Sequence, residues 1–137
     1  MKSGFLVIDK DQDFTSHDVV ALARKSLKEK RIGHAGTLDP MATGVLVLGV
    51  GHATRLLSLI TDGSKTYLAT IRLGSATNTD DAQGEVISVA PPERLAAITE
   101  IQITEELAKR TGEILQRPSS VSAIKVDGVR SYKRVRD

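Results

Sequence analysis

The stretch Gly33-His34-Ala35-Gly36-Thr37-Leu38-Asp39-Pro40-Met41-Ala42-Thr43-Gly44 constrains the fold of this 137-residue chain more than any other. It carries three glycines and an Asp-Pro pair, and it runs straight into the apolar residues Val45-Leu46-Val47-Leu48. Glycine supplies backbone angles and close approaches that other residues resist. Pro40 disfavours helical angles at Asp39. The pattern predicts an irregular loop that presents Asp39 at the mouth of a buried strand. Such loops on rigid scaffolds are frequent seats of chemistry. Two readings of Asp39 stand side by side: a carboxylate offered as nucleophile or general base, or an Asp that caps a turn before Pro40.

The flanking elements follow from local pattern. Phe5 to Ile8, bounded by Gly4 and Asp9, is a short apolar run that predicts a buried strand. Thr15 and Ser16 offer N-caps, Asp18 suits a first helical turn, and Val19, Val20, Ala23 and Leu27 recur at helical spacing. A helix is expected from about Ser16 to Lys28. Gly44 to Val50 predicts a second buried strand, and Ala53 to Ile60 a short helix ending near Asp62-Gly63. Tyr67 to Leu73 alternates as a strand, Gly74 to Gly84 is a polar loop, and Glu85 to Val89 returns as its hairpin partner. Pro91-Pro92 interrupts the chain. Thr104 is expected to cap a helix running to about Thr111, stopped by Gly112. Val121 to Val126 reads as a strand before an Asp127-Gly128 turn.

Composition narrows the classes. Apolar residues make up 40% and charged residues 26%, as in ordinary globular domains. With no cysteine, disulfides and thiolate metal sites are excluded. Apolar runs fall far short of the ~20 residues that span a bilayer, and Met1 to Asp9 is apolar too briefly for a signal peptide, so a cytoplasmic location is expected. The net charge of +2 is small, but Arg24, Lys25, Lys28, Lys30 and Arg31 precede the glycine-rich loop. Lys125, Arg130, Lys133, Arg134 and Arg136 crowd the other end. Two basic clusters suit a phosphate backbone; they are equally what two solvated surfaces look like.

Single residues carry less. His34 is placed to meet a phosphate or a base, yet alone it reads as a surface histidine. Tyr67 suits stacking on a base as well as ordinary strand packing. Asp80-Asp81 lacks a third oxygen ligand at a convincing spacing, so no metal is expected. The glycine pattern is no P-loop, because no Gly-Lys-Ser/Thr closes it and a strand follows.

The glycine-rich loop as a whole, however, closely resembles the bacterial tRNA pseudouridine-55 synthases of the TruB type. Further blocks are similar to the same family, in its order and over nearly the whole chain: Thr15-Ser16-His17-Asp18-Val19-Val20, Lys65-Thr66-Tyr67 with Leu73-Gly74, Thr79-Asp80-Asp81 to Gly84, and Pro118 to Val126 with Gly128 and Tyr132. The resemblance implies an α+β fold with a mixed, largely antiparallel sheet flanked by helices. It implies an isomerase that converts a uridine in the T-arm of tRNA, with no cofactor and no metal. Asp39 matches the family's covalent catalyst, Tyr67 its base-stacking tyrosine, His34 the histidine at the flipped nucleotide, and Lys10 a lysine near the start, expected with Tyr67 and His34 among the substrate-binding residues. Chemistry on a base requires the base to leave its stack, which makes a pocket of this kind sensible.

One departure is plain. The family usually carries Lys-Pro-x-Gly before the Thr-Ser pair, where this chain has Lys10-Asp11-Gln12-Asp13-Phe14. Proline and glycine are replaced by two acids, adding negative charge where a polyanion would approach. The resemblance also places residues 1–137 in the amino-terminal portion of the catalytic domain, without its second half, which holds the aspartate's arginine partner, or the RNA-binding PUA domain. Weak or absent activity is therefore expected of these residues alone. The alternatives are a non-catalytic tRNA-binding or tRNA-folding module and a small-molecule phosphate-binding domain. Several phosphate contacts would give affinity a steep salt dependence, which separates these two.

Overall fold

A computed structural model describes residues 3–115, together with the backbone of 125–126 and 129–130. Seven residues that alternate inward and outward form the first strand, β1 (Gly4–Lys10). Helix α1 (Ser16–Leu27) follows, where the sequence places it. Thr15 is its N-cap, in a capping box with Asp18, and Lys28 closes it in the left-handed conformation. Strands β2 (Ile32–Ala35) and β3 (Gly44–Val50) complete an antiparallel sheet of order β1-β3-β2. The glycine-rich stretch is thus part strand, since Gly33 to Ala35 pair with Gly49 to Val47. The irregular loop begins at Gly36, which leaves the sheet at φ +86°, an angle that favours glycine.

Register decides what the sheet buries. Leu6 and Ile8 lie opposite Leu48 and Leu46, and Ile32 lies opposite Val50. These residues share one face, and α1 covers it with Val19 and Val20. Leu46 and Leu48 are 1% and 0% exposed. Ala23, Leu27 and, from the loop, Leu38 pack around this core. On the other face, Gly33 and Gly49 are cross-strand neighbours and form a flat seat for Leu57. That leucine opens α2 (Leu57–Thr61), which continues a 3-10 turn over Gly51–Leu56 in place of the single short helix expected there.

The chain forms two compact units, divided after Leu68. In the second unit, β4 (Ser75–Thr77) pairs antiparallel with β5 (Val86–Val89). Here the sequence reading is corrected. Tyr67 to Leu73 is not a strand, because it has no ladder partner among the described residues and its apolar side chains Leu68 and Ile71 lie exposed. The hairpin partner of β5 is instead the first part of the supposed polar loop. Pro92 starts a short helix, α3 (Pro92–Ala96). The next helix, α4 (Glu100–Ala108), begins earlier than Thr104, because Thr99 and Gln102 form a complete capping box. Thr104 lies inside it and donates its hydroxyl back to the Glu100 carbonyl at 3.0 Å.

Strands β6 (Lys125–Val126) and β7 (Val129–Arg130) pair with each other. The expected Asp127-Gly128 turn and the rest of the Val121 to Val126 strand lie outside the described residues, as do the side chains of the second basic cluster. The class is α+β, with every described strand pair antiparallel in three small sheets rather than one mixed sheet. Among the described residues no helix is long and apolar enough to cross a membrane.

Candidate active site

Asp39 opens a β-turn, with Pro40 second and the Ala42 amide donating to the Asp39 carbonyl at 3.0 Å. Asp at the first position and Pro at the second are the residues such a turn favours. The turn-capping reading of Asp39 therefore holds for its backbone, and it leaves the carboxylate unspent. The side chain is exposed and makes no hydrogen bond or ion pair among the described residues.

The backbone on either side is tied down. Ahead of Asp39, the Leu38 amide donates to Ser16 Oγ at 3.0 Å, and Ser16 Oγ donates back to the Leu38 carbonyl at 3.2 Å. Behind it, the Pro40 carbonyl accepts from the Asp13 amide at 2.8 Å and from Lys10 Nζ at 3.2 Å.

Lys10 therefore has a place of its own. Alternation along β1 turns it to the core face, where it is 1% exposed. An ammonium carries three hydrogens, and here they go to the carbonyls of Asp11 (3.0 Å), Phe14 (2.7 Å) and Pro40 (3.2 Å). A buried charge is tolerated when its hydrogen bonds are satisfied. Expected as a substrate contact, Lys10 faces inward and holds the β1–α1 connection against the Asp39 turn.

The same connection explains the missing family glycine. Asp13 has φ +66°, in the left-handed region. Aspartate is one of the few non-glycine residues that enters this region readily. An aspartate thus serves where the resemblance leads one to expect a glycine.

A cleft of about 620 Å³ lies beside the turn, within the ~300–1,000 Å³ typical of small-molecule sites. One wall is the loop itself, Gly36 to Leu38 with Ala42 and Thr43; the other is residues 64–68, including Tyr67. The tyrosine is 66% exposed, so its ring is open to a partner. Lys65 also lines this wall, its Nζ bonded to the Thr61 carbonyl at 2.6 Å at the end of α2.

His34 is not among the cleft's walls. Its Nδ1 lies 2.5 Å from the Gly36 carbonyl, which can only accept, so the hydrogen of this bond sits on Nδ1. His17, on the first turn of α1, meets it edge-on with centroids 5.2 Å apart. The structure thus places Tyr67 across a cleft from the Asp39 loop and Lys10 beneath that loop. It puts His34 with His17 at the start of α1.

Asp80-Asp81 is a turn-builder. Asp81 Oδ1 accepts from Thr79 Oγ1 at 2.7 Å and from the Gln83 and Gly84 amides. The Thr79 hydroxyl foremost, with these amides, holds its carboxyl below the ordinary range. No group of three or more His, Cys, Asp or Glu is placed to hold a metal among the described residues.

The basic cluster lies exposed along α1 and just after it. Arg24 donates to the Ile32 carbonyl and Arg31 to Thr54 Oγ1, while none of the five cations forms an ion pair among the described residues.

The sequence model of the TruB family pseudouridylate synthase N-terminal domain matches residues 24–137. The chain belongs to this family. Relatives agree along its whole length, each bearing the name tRNA pseudouridine synthase B. The protein of Arthrobacter sp. (strain FB24) is 60% identical over 136 residues, covering 99% of this chain and 44% of that protein. That of Leifsonia xyli subsp. xyli is 58% identical over 134 residues (98% and 44%), and that of Corynebacterium diphtheriae 53% over 135 residues (98% and 45%). The chain thus spans less than half the length of these relatives. A solved H/ACA RNP bound to a substrate RNA containing 2′-deoxyuridine matches over 41% of this chain and 18% of its own, with 43% identity and a TM-score of 0.40.

Three residues take part in this site that local pattern does not single out. Ser16 has the residue type of a cap, although it sits at i−3, i−4 and i−7 from Val19, Val20 and Ala23, on the apolar stripe. A hydroxyl on a buried stripe signals a partner elsewhere in the fold. The Asp13 amide and the ring of His17 left no local signal.

Proposed function

We propose that the chain is the amino-terminal portion of the catalytic domain of a cytoplasmic tRNA pseudouridine synthase, with the pseudouridine-synthase fold, and that it isomerises uridine 55 in the T-arm. The observation that carries this reading is the 52–60% identity to tRNA pseudouridine synthase B proteins over 97–99% of the chain. Asp39 is the catalyst. Its exposed carboxylate, on a backbone fixed at both neighbours, can meet a nucleotide without rearranging. The target uridine leaves its stack, and Tyr67 stacks against the base in the cleft beside the Asp39 turn. His34 contacts the opened nucleotide near the start of α1, and the exposed cations of α1 meet RNA phosphates.

In the reaction the bond between ribose C1′ and uracil N1 breaks, and C1′ rejoins the base at C5. C5 gives up its hydrogen and N1 takes a proton, so no net oxidation occurs. The lost C5 hydrogen is the readout. With tRNA carrying 5-tritiated uridine, the chain releases tritium weakly, but above the background to which Asp39→Asn falls while still binding tRNA. A full-length Arthrobacter relative serves as the positive control. Equal background from both, with tRNA bound, would leave a tRNA-binding or tRNA-folding module; no tRNA binding would sink both readings.

A further inference from the structure

We infer that Ser16 is a positioning residue for Asp39, an inference that rests on reading Asp39 as the catalyst. Ser16 is 1% exposed, and both partners of its hydroxyl belong to Leu38, the residue next to Asp39. A serine at the start of a helix normally serves the helix itself. Here that task is already done. Thr15 Oγ1 accepts from the Asp18 amide, and the Asp18 carboxylate accepts from the Thr15 amide at 2.9 Å and its hydroxyl at 2.6 Å. The Ser16 hydroxyl is therefore spare to α1 and spent wholly on the loop.

The geometry makes that bond pair effective. Leu38 uses both its N–H and its C=O on one oxygen, so it can neither slide nor rotate without breaking at least one bond. Its side chain packs on the core. Two residues on, the Pro40 carbonyl is held by the Asp13 amide and Lys10. Asp39 is the single residue between two fixed peptides, with a turn bond on its own carbonyl. Only its side-chain torsions remain free. Ser16 also joins the turn to the helix that carries the basic cluster, so RNA seated on α1 is registered against Asp39. Misplacing a reacting group by an ångström can cost roughly 100-fold in rate.

Amide hydrogen exchange on the intact chain tests the brace, with tritium release beside it. Ser16→Ala should speed exchange at Leu38 while the amides of α1 and β3 keep their protection. It should also slow release roughly 10- to 100-fold at unchanged KM. Ser16→Thr, which keeps the hydroxyl, should restore both in part. Thr15→Ala should do the reverse, exposing the Asp18 amide and sparing Leu38. Leu38 exchange unchanged in Ser16→Ala, or losses spread over α1 as in Thr15→Ala, would overturn the inference. So would a loosened Leu38 with release at the parent rate, where Asp39→Asn abolishes it. If the parent releases no more tritium than Asp39→Asn, the catalytic reading of Asp39 fails, and with it the role given to Ser16, whatever the exchange data show of the brace.

Discussion

Replacing Lys10 with methionine keeps an unbranched side chain of similar length in the core and removes only its three donors. Two effects then compete. Burying an ammonium costs several kcal/mol of desolvation, so replacing a buried charge with a hydrophobe is often neutral or stabilising. Against this, the acceptors stay behind. The Pro40 carbonyl keeps the Asp13 amide, but the Asp11 and Phe14 carbonyls have no other donor among the described residues. An orphaned buried acceptor costs about 1–3 kcal/mol. Asp11 and Phe14 are exposed residues that water can reach, so the low end applies: with the ammonium's desolvation offset by its three charge-assisted bonds, the two orphaned carbonyls leave a loss of about 2 kcal/mol. For a chain of this size that lowers the melting temperature by roughly 8 °C. Thermal and urea unfolding followed by circular dichroism would measure it. Lys10→Ala should lose more, since it also leaves a void. A methionine variant as stable as the parent would refute the reasoning, because desolvation would then outweigh the tripod of carbonyls.

Three other changes test separate parts of the structure. At Asp13, with φ +66°, Asp13→Gly should hold stability within about 0.5 kcal/mol, Asp13→Ala lose about 1 kcal/mol, and Asp13→Val more, read as the order of urea midpoints. Gly49→Ala would place a methyl 3.0 Å from Leu57 and 3.1 Å from the Ala53 carbonyl, an overpacking of about 1–3 kcal/mol that equilibrium unfolding would detect. At Asp81, hydrogen bonds led by Thr79 depress the folded pKa, so its contribution is complete above the ordinary carboxylate value of about 3.9. It is lost as pH falls through the lower folded value. The Gln83 and Gly84 amide signals should titrate below about pH 4, and Asp81→Asn should abolish that step while preserving the turn at neutral pH.

Local chemistry was legible where it could satisfy itself within a few residues. Helix α1 needed only Thr15, Asp18 and its apolar stripe, and β3 was marked by an unbroken apolar run. Tyr67 to Leu73 shows the converse. Its alternation is genuine, but alternation describes a face and supplies no hydrogen-bond partner. In the described structure the ladder forms at Ser75 to Thr77, where β5 is available. Thr104 misled for a related reason: two threonines precede acidic or amide residues, and only Thr99 has its reciprocal partner, Gln102, at the third position.

The site divides along the same line. Asp39 stood out because Asp-Pro between glycines is a strong local signal. The groups that hold it did not, because each acts across the fold: Lys10 reaches 30 residues along the chain to Pro40, and Ser16 reaches 22 to Leu38. Both nevertheless broke a pattern. Lys10 occupies an inward position of β1, and Ser16 an inward position of α1. Burying either group without partners would cost more free energy than its side chain returns. A polar residue on an apolar stripe therefore already states that a partner exists, and the nearest stretch rich in unsatisfied backbone groups was the Asp39 loop. Read in that way, the two inward polar residues point to the segment the fold must immobilise, and so to Asp39, without any appeal to its neighbours in sequence.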